Sequence, residues 1–126
     1  MAGAFEGKRG LILGVANKRS IAWAIAQQLS QGGATLDASV RYLAWDLGQK
    51  NIRVNAISAG PVRTLAARSI AGFPTMEAIV EERSPLHRHI EADDVGAAAA
   101  FLLSDAARNV TGTTLYVDSG YHAMGM

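Results

Sequence analysis

Three stretches of the chain hold residues whose types and spacing suit chemistry. In "LILGVANKRSIAWAIA", Gly14 closes an apolar run and Ser20 and Ile21 open an amphipathic one. A strand ending at a glycine before a helix start aims free backbone N–H groups and the positive helix end at an anion such as a pyrophosphate. The second and third glycines of G-x-G-x-x-G are missing, so an ordinary strand-to-helix turn explains the pattern equally well. In "NAISAGPVRT", Gly60 and Pro61 turn the chain and set the main chain of Val62 and the hydroxyl of Thr64 at a strand's carboxyl end, where parallel sheets bind ligands. A proline-fixed turn without a ligand is the plainer reading. Third, "AISAG" approximates the G-x-S-x-G elbow of a serine hydrolase, and Asp118 and His122 follow Ser58 in the matching order. Ala56 replaces the first glycine of that elbow, and the acid and the histidine crowd one short tail.

Two further clusters are weaker. His87 and His89 have no acidic or cysteine partner at ligand spacing, which favours a solvent-facing loop over a metal site. Asp93 and Asp94 suit a helix start, where the dipole favours acids, better than a catalytic pair.

These residues need elements to position them. "RGLILGVA", Arg9 to Ala16, is a short apolar run bounded by glycines, as expected of a strand buried on both faces. Ser20 can cap the helix that follows, and Gly32 and Gly33 stop it. Leu36, Val40, Leu43, Ala44 and Leu47 then recur at helical spacing up to Gly48, so helix follows helix with no strand between. "IRVNAIS" (Ile52 to Ser58) is the second strand, and two short amphipathic pieces broken at "GFP" fill Thr64 to Arg83. "EADDVGAAAAFLLSD" reads as a helix and "GTTLYVD" (Gly112 to Asp118) as a last strand. The expectation is one α/β domain of about three parallel strands with flanking helices.

Composition narrows the partners. The 126 residues carry 12 Lys and Arg against 11 Asp and Glu, scattered through the chain, so no footprint for nucleic acid or an anionic membrane is visible. The absence of cysteine removes thiolate chemistry and cysteine-bound metal and fits a reducing interior. The longest apolar stretch, Val95 to Leu103, is about half of a membrane span, and a cytoplasmic location is expected.

Taken together, Gly14 with "SIAWAIA", "ASVRYLAWDLGQKNIRVNAISAGPVRTLAA", "DDVGAAAAFLLSD" and "VTGTTLYVDSGYH" resemble the bacterial NADH-dependent enoyl-acyl-carrier-protein reductases of the short-chain dehydrogenase/reductase superfamily. The resemblance implies a Rossmann-like fold, usually a homotetramer, that moves a hydride from NADH to a trans-2-enoyl thioester on acyl carrier protein or coenzyme A. By position it implies Gly14, Ser20 and Ile21 on the pyrophosphate side of the cofactor. Val62 would meet the nicotinamide carboxamide, with Gly60, Pro61 and Thr64 shaping that pocket. Ile70, Phe73 and Met76 fall in the family's substrate-binding segment.

The resemblance also accounts for the adjacent helices. The family has a long block between the residues matching "SQGGA" and those matching "ATLDASV", and here Gly33 and Thr35 flank a single alanine, Ala34. That block supplies four central strands, the adenine pocket and the catalytic tyrosine and lysine, spaced Tyr-x6-Lys. Their places fall at Ala26 and Gly33, so the chain is a truncated Rossmann-like domain without either group. Tyr42 lies on a packing or subunit-contact face, and neither Tyr116 nor Tyr121 has a lysine three or six residues on. Loss of a positioned general acid costs about 10²- to 10⁴-fold in rate. No catalytic residue is assigned. The rival expectation is a non-catalytic reductase piece that keeps a subunit-contact surface and part of the nicotinamide pocket.

Overall fold

A computed structural model describes residues 36–64, 67 and 71–124. The expected first strand, the helix after Ser20, the seam at Gly33 and Ala34, and Gly14, Ser20, Ile21 and Ile70 lie outside the described residues. The chain divides into two compact units, Met1–Ala56 with Phe101–Thr113 and Ile57–Ala100 with Thr114–Met126.

In the first unit, helix α1 (Leu36–Gly48) forms where the apolar spacing places it. Only Val40 and Ala44 of its apolar set are buried, whereas Leu36 and Leu43 are exposed together with Tyr42 (73%) and Trp45 (77%). The helical period was legible, but it did not reveal which part of the stripe is covered. Asn51, at φ 57, supplies the left-handed turn after the helix; asparagine tolerates that region because its short polar side chain can bond locally. The Arg53 guanidinium reaches the main-chain carbonyls of Leu102, Ser104 and Val110, which include carbonyls left open at a helix end.

Strand β1 is Ala56–Ala59, shorter than the expected Ile52 to Ser58 and displaced toward the turn. Val54 and Asn55 lie in the ladder's approach: the Val54 N–H donates to Thr111 Oγ1, and Asn55 Nδ2 donates to the Val110 carbonyl. Side chains thus replace strand partners there. Helix α2 is Phe73–Arg83, and its boundary is Gly72 at φ 81 with Pro74 in the first turn, so the second of the two expected pieces begins at "GFP". Helix α3 is Ala92–Leu103. Asp94 accepts the Glu91 N–H at 2.9 Å, which puts this acid in the helix-start role read from the sequence.

Strand β2 (Thr114–Val117) pairs with β1. The Gly112 N–H reaches the Val54 carbonyl, the Ala56 N–H that of Thr113, and the Gly60 N–H that of Val117. Both strands advance together along these bonds, so the pair is parallel. A parallel pair needs a crossover, which α2 and α3 supply. Val62 adds a parallel bridge to Ile90. The fold is α/β.

The second unit buries Phe73, Val80, Ile90 and Ala67. Gly60 is fixed by packing: a Cβ there would collide with Ile90 Cδ1 and lie 3.3 Å from Asp118 Cα.

Candidate functional site

Because β1 and β2 are parallel, their carboxyl ends open on the same edge, and the residues that follow each strand meet there. From β1 come Ser58, Ala59, Gly60 and Pro61, and from β2 come Tyr116, Asp118, Tyr121 and His122. Gly72, Thr75, Met76, Ile79 and Val80 add the α2 side. These residues line an open cleft of about 910 Å³, within the size range of small-molecule sites.

Of the residues read from the sequence, Gly60, Pro61 and Met76 line this cleft. Val62 is half-buried in its bridge to Ile90, and Phe73 is buried at the start of α2. Thr64 is exposed, and its hydroxyl oxygen accepts the Ala67 N–H at 3.1 Å. The Gly60 N–H is already committed to the Val117 carbonyl.

The cleft's strongest polar feature follows β2. Asp118 is buried and accepts the N–H groups of Gly120 at 3.0 Å and His122 at 2.8 Å, while His122 Nδ1 stands 2.9 Å from Oδ2. Burial alone would push its carboxyl up. The bonds from the His122 ring, then from the His122 and Gly120 main chain, and the charge of His122 outweigh burial and hold it below the usual range. Tyr116 stacks on the imidazole with ring centroids 3.8 Å apart and planes 10° from parallel. Ser119 at φ 58 and Gly120 at φ 87 make the turn that brings His122 back to Asp118.

The serine-hydrolase alternative is met in part. Asp118 and His122 are paired and Ser58 lines the same cleft, but no hydrogen bond among the described residues joins Ser58 to His122.

Two contacts were missed from sequence. Arg63 Nε bonds the buried Glu77 Oε1 at 2.8 Å, and the carboxylate's hydrogen bond followed by its charge raises the guanidinium's pKa. Fourteen residues separate the pair, so no local spacing signals it. The second lies at "HRH": His89 Nε2 pairs with Glu81 Oε2 at 3.1 Å, and His87 Nδ1 lies 3.2 Å from the Glu81 carbonyl oxygen. Glu81 stands on the preceding helix, outside the motif's own spacing. Among the described residues no group of three possible metal ligands forms, and no helix is long and apolar enough to cross a membrane.

Residues 34–122 match the family model described as enoyl-(acyl carrier protein) reductase. The chain belongs to this family. It is similar to the NADPH enoyl-[acyl-carrier-protein] reductase of Staphylococcus aureus (strain MRSA252), 56% identical over 91 residues that cover 72% of this chain and 36% of that protein. The NADH enzyme of Bacillus subtilis (strain 168) is 57% identical over 89 residues, covering 71% and 34%. Among solved structures, the Bacillus cereus enoyl reductase with NADP+ and indole naphthyridinone superimposes at a TM-score of 0.71 with 46% identity, over 89% of this chain and 43% of that one. The Anaplasma phagocytophilum enoyl reductase in complex with NAD gives a TM-score of 0.67 with 57% identity, over 72% and 35%. The chain therefore spans about a third of the length of the curated enoyl reductases it matches.

Proposed function

We propose that this chain carries the carboxyl-edge part of an enoyl reductase site, taking the nicotinamide end of NADH and a trans-2-enoyl thioester, with turnover weak or absent. The observation that carries the reading is the meeting of Gly60, Pro61 and Met76, three positions drawn from the family resemblance, on one cleft. Val62, Thr64, Ile70 and Phe73 belong to the same reading, as do Gly14, Ser20 and Ile21 on the pyrophosphate side. A nicotinamide bound there supplies the hydride; the chain's part is to hold it and to exclude water along the apolar wall of Pro61, Met76 and Ile79.

Low turnover follows from residue types. The family match begins at residue 34, directly after Gly33, where the resemblance places the catalytic lysine, and the tyrosine's place is Ala26. A cytoplasmic location is part of the same reading. The experiment is an amide NMR titration with NADH and then crotonyl-CoA. Shifts centred on Ser58, Gly60, Met76 and Tyr121 are expected, and saturation with no change at these amides would refute the site.

A second reading, a non-catalytic module that joins reductase subunits, is favoured by the exposed Leu36, Tyr42, Leu43 and Trp45 of α1. Exposed apolar area of this kind suits a subunit contact. Size-exclusion mass, alone and mixed with the Bacillus subtilis enzyme, tests it: self-association or co-elution supports the module, and a monomer that leaves the enzyme's elution unchanged rejects it.

A further inference from the structure

His122 is held on three sides. Its main-chain N–H and ring Nδ1 both face the Asp118 carboxylate, and Tyr116 covers one ring face. An ionised carboxylate only accepts, so Nδ1 carries a proton and the ring orientation is set. Asp118 meets that condition near neutral pH, its carboxyl being held low by the surrounding donors despite burial. The remaining polar ring atom, Nε2, has no protein partner among the described residues, and the ring lines the cleft.

The opposing chemistry is apolar: Ala59, Pro61, Met76, Ile79 and Val80 line the same space. A cleft that sets an oriented imidazole nitrogen, beside the hydroxyl-bearing Ser58, Thr75, Tyr116 and Tyr121, against this aliphatic lining suits a ligand that is mostly hydrocarbon with a hydrogen-bonding group at one end. A free carboxylate is a poor candidate for that end, because Asp118 already places a negative charge in the same wall. An amide fits in either protonation state of the ring: its carbonyl accepts from Nε2–H, and its N–H donates to bare Nε2.

We propose that His122 is a ligand-contacting residue of this cleft, its Nε2 bonding an amide in the carrier arm of an acyl thioester whose chain lies along Pro61, Met76 and Ile79. This rests on the reading of the cleft as an acyl-thioester site. Nothing in the family match assigns His122 a role. Its contribution is to select for the amide-bearing arm over the acyl chain alone.

The test is calorimetric titration of the whole chain with two probes sharing one acyl group. One is trans-2-decenoyl-pantetheine, which has amides, and the other is S-ethyl trans-2-decenethioate, which has none. His122→Ala is expected to weaken the pantetheine probe about 3- to 10-fold, the worth of one hydrogen bond, and to leave the ethyl thioester within about twofold. His122→Gln, which restores an amide donor and acceptor at this position, recovers part of the loss and serves as the control for folding. Equal effects of His122→Ala on both probes, or no effect on either, overturn the proposal while leaving the acyl site standing. Failure of both probes to bind the unaltered chain overturns the site and the proposal together.

Discussion

The Asp118 carboxylate and the His122 imidazole meet at 2.9 Å, four residues apart, across the turn that follows β2. This contact closes the turn after β2 back onto the sheet's carboxyl edge and makes that turn one wall of the cleft. It also makes the turn sensitive to acid. The Asp118 carboxyl is held below the usual range in the folded chain, so its contribution to stability is complete above the unfolded value, about 3.9, and is lost as pH falls through the lower folded value. Thermal melts from pH 7 down to 2.5 should lose stability below about pH 4. In Asp118→Asn this limb flattens, at a cost of about 1–3 kcal/mol at pH 7 because two N–H groups and Nδ1 lose a charged acceptor. An unchanged acid limb in the variant would remove the linkage.

Much of this architecture was legible beforehand. The 3.6-residue spacing set α1 correctly, the acids at Asp93 and Asp94 marked the start of α3, and "AGP" marked the end of β1. What escaped was long-range. Residue order alone offers Asp118 and His122 as partners of Ser58 in a hydrolase triad, yet the stack of Tyr116 on the ring depends on the left-handed turn at Ser119 and Gly120. The Arg63 to Glu77 pair depends on where a crossover returns the chain, which no periodicity encodes. The exposed leucines of α1 escaped for a related reason: a stripe records only that a face is apolar, without naming what covers it.

Gly60 tests the packing beneath the cleft. Gly60→Ala should cost about 1–3 kcal/mol, since its Cβ overlaps Ile90 Cδ1 and crowds Asp118 Cα. Ile90→Val removes Cδ1 and alone costs about 0.5–1.5 kcal/mol. In the double variant the two losses should sum to less than their separate values, measured by urea unfolding. Strict additivity would show that the overlap is not the cause.

Ser84 gives a prediction of the opposite sign. It is fully buried, and its hydroxyl oxygen has no hydrogen-bond partner among the described residues, while its N–H closes α2 on the Val80 carbonyl. Ser84→Ala keeps the main-chain bond and removes an unpaired polar group. Stability should rise by about 1 kcal/mol, within the desolvation cost of such a group. A destabilised variant would reveal a partner for the hydroxyl.

Ser58 should behave as an ordinary strand residue. With no bond to His122, its hydroxyl is not activated as a nucleophile. Native incubation with a fluorophosphonate probe should leave Ser58 unlabelled in intact-mass spectra. Stoichiometric labelling that disappears in Ser58→Ala would establish the hydrolase chemistry instead.

The central proposal is that the cleft is part of an enoyl reductase site that lacks the proton donor and lysine. Steady-state oxidation of NADH by crotonyl-CoA, run beside the Bacillus subtilis enzyme at equal site concentration, tests it most directly. The account predicts a rate lower by about 10²-fold or more, as removal of a general acid requires. A rate within tenfold of the full-length enzyme would contradict it.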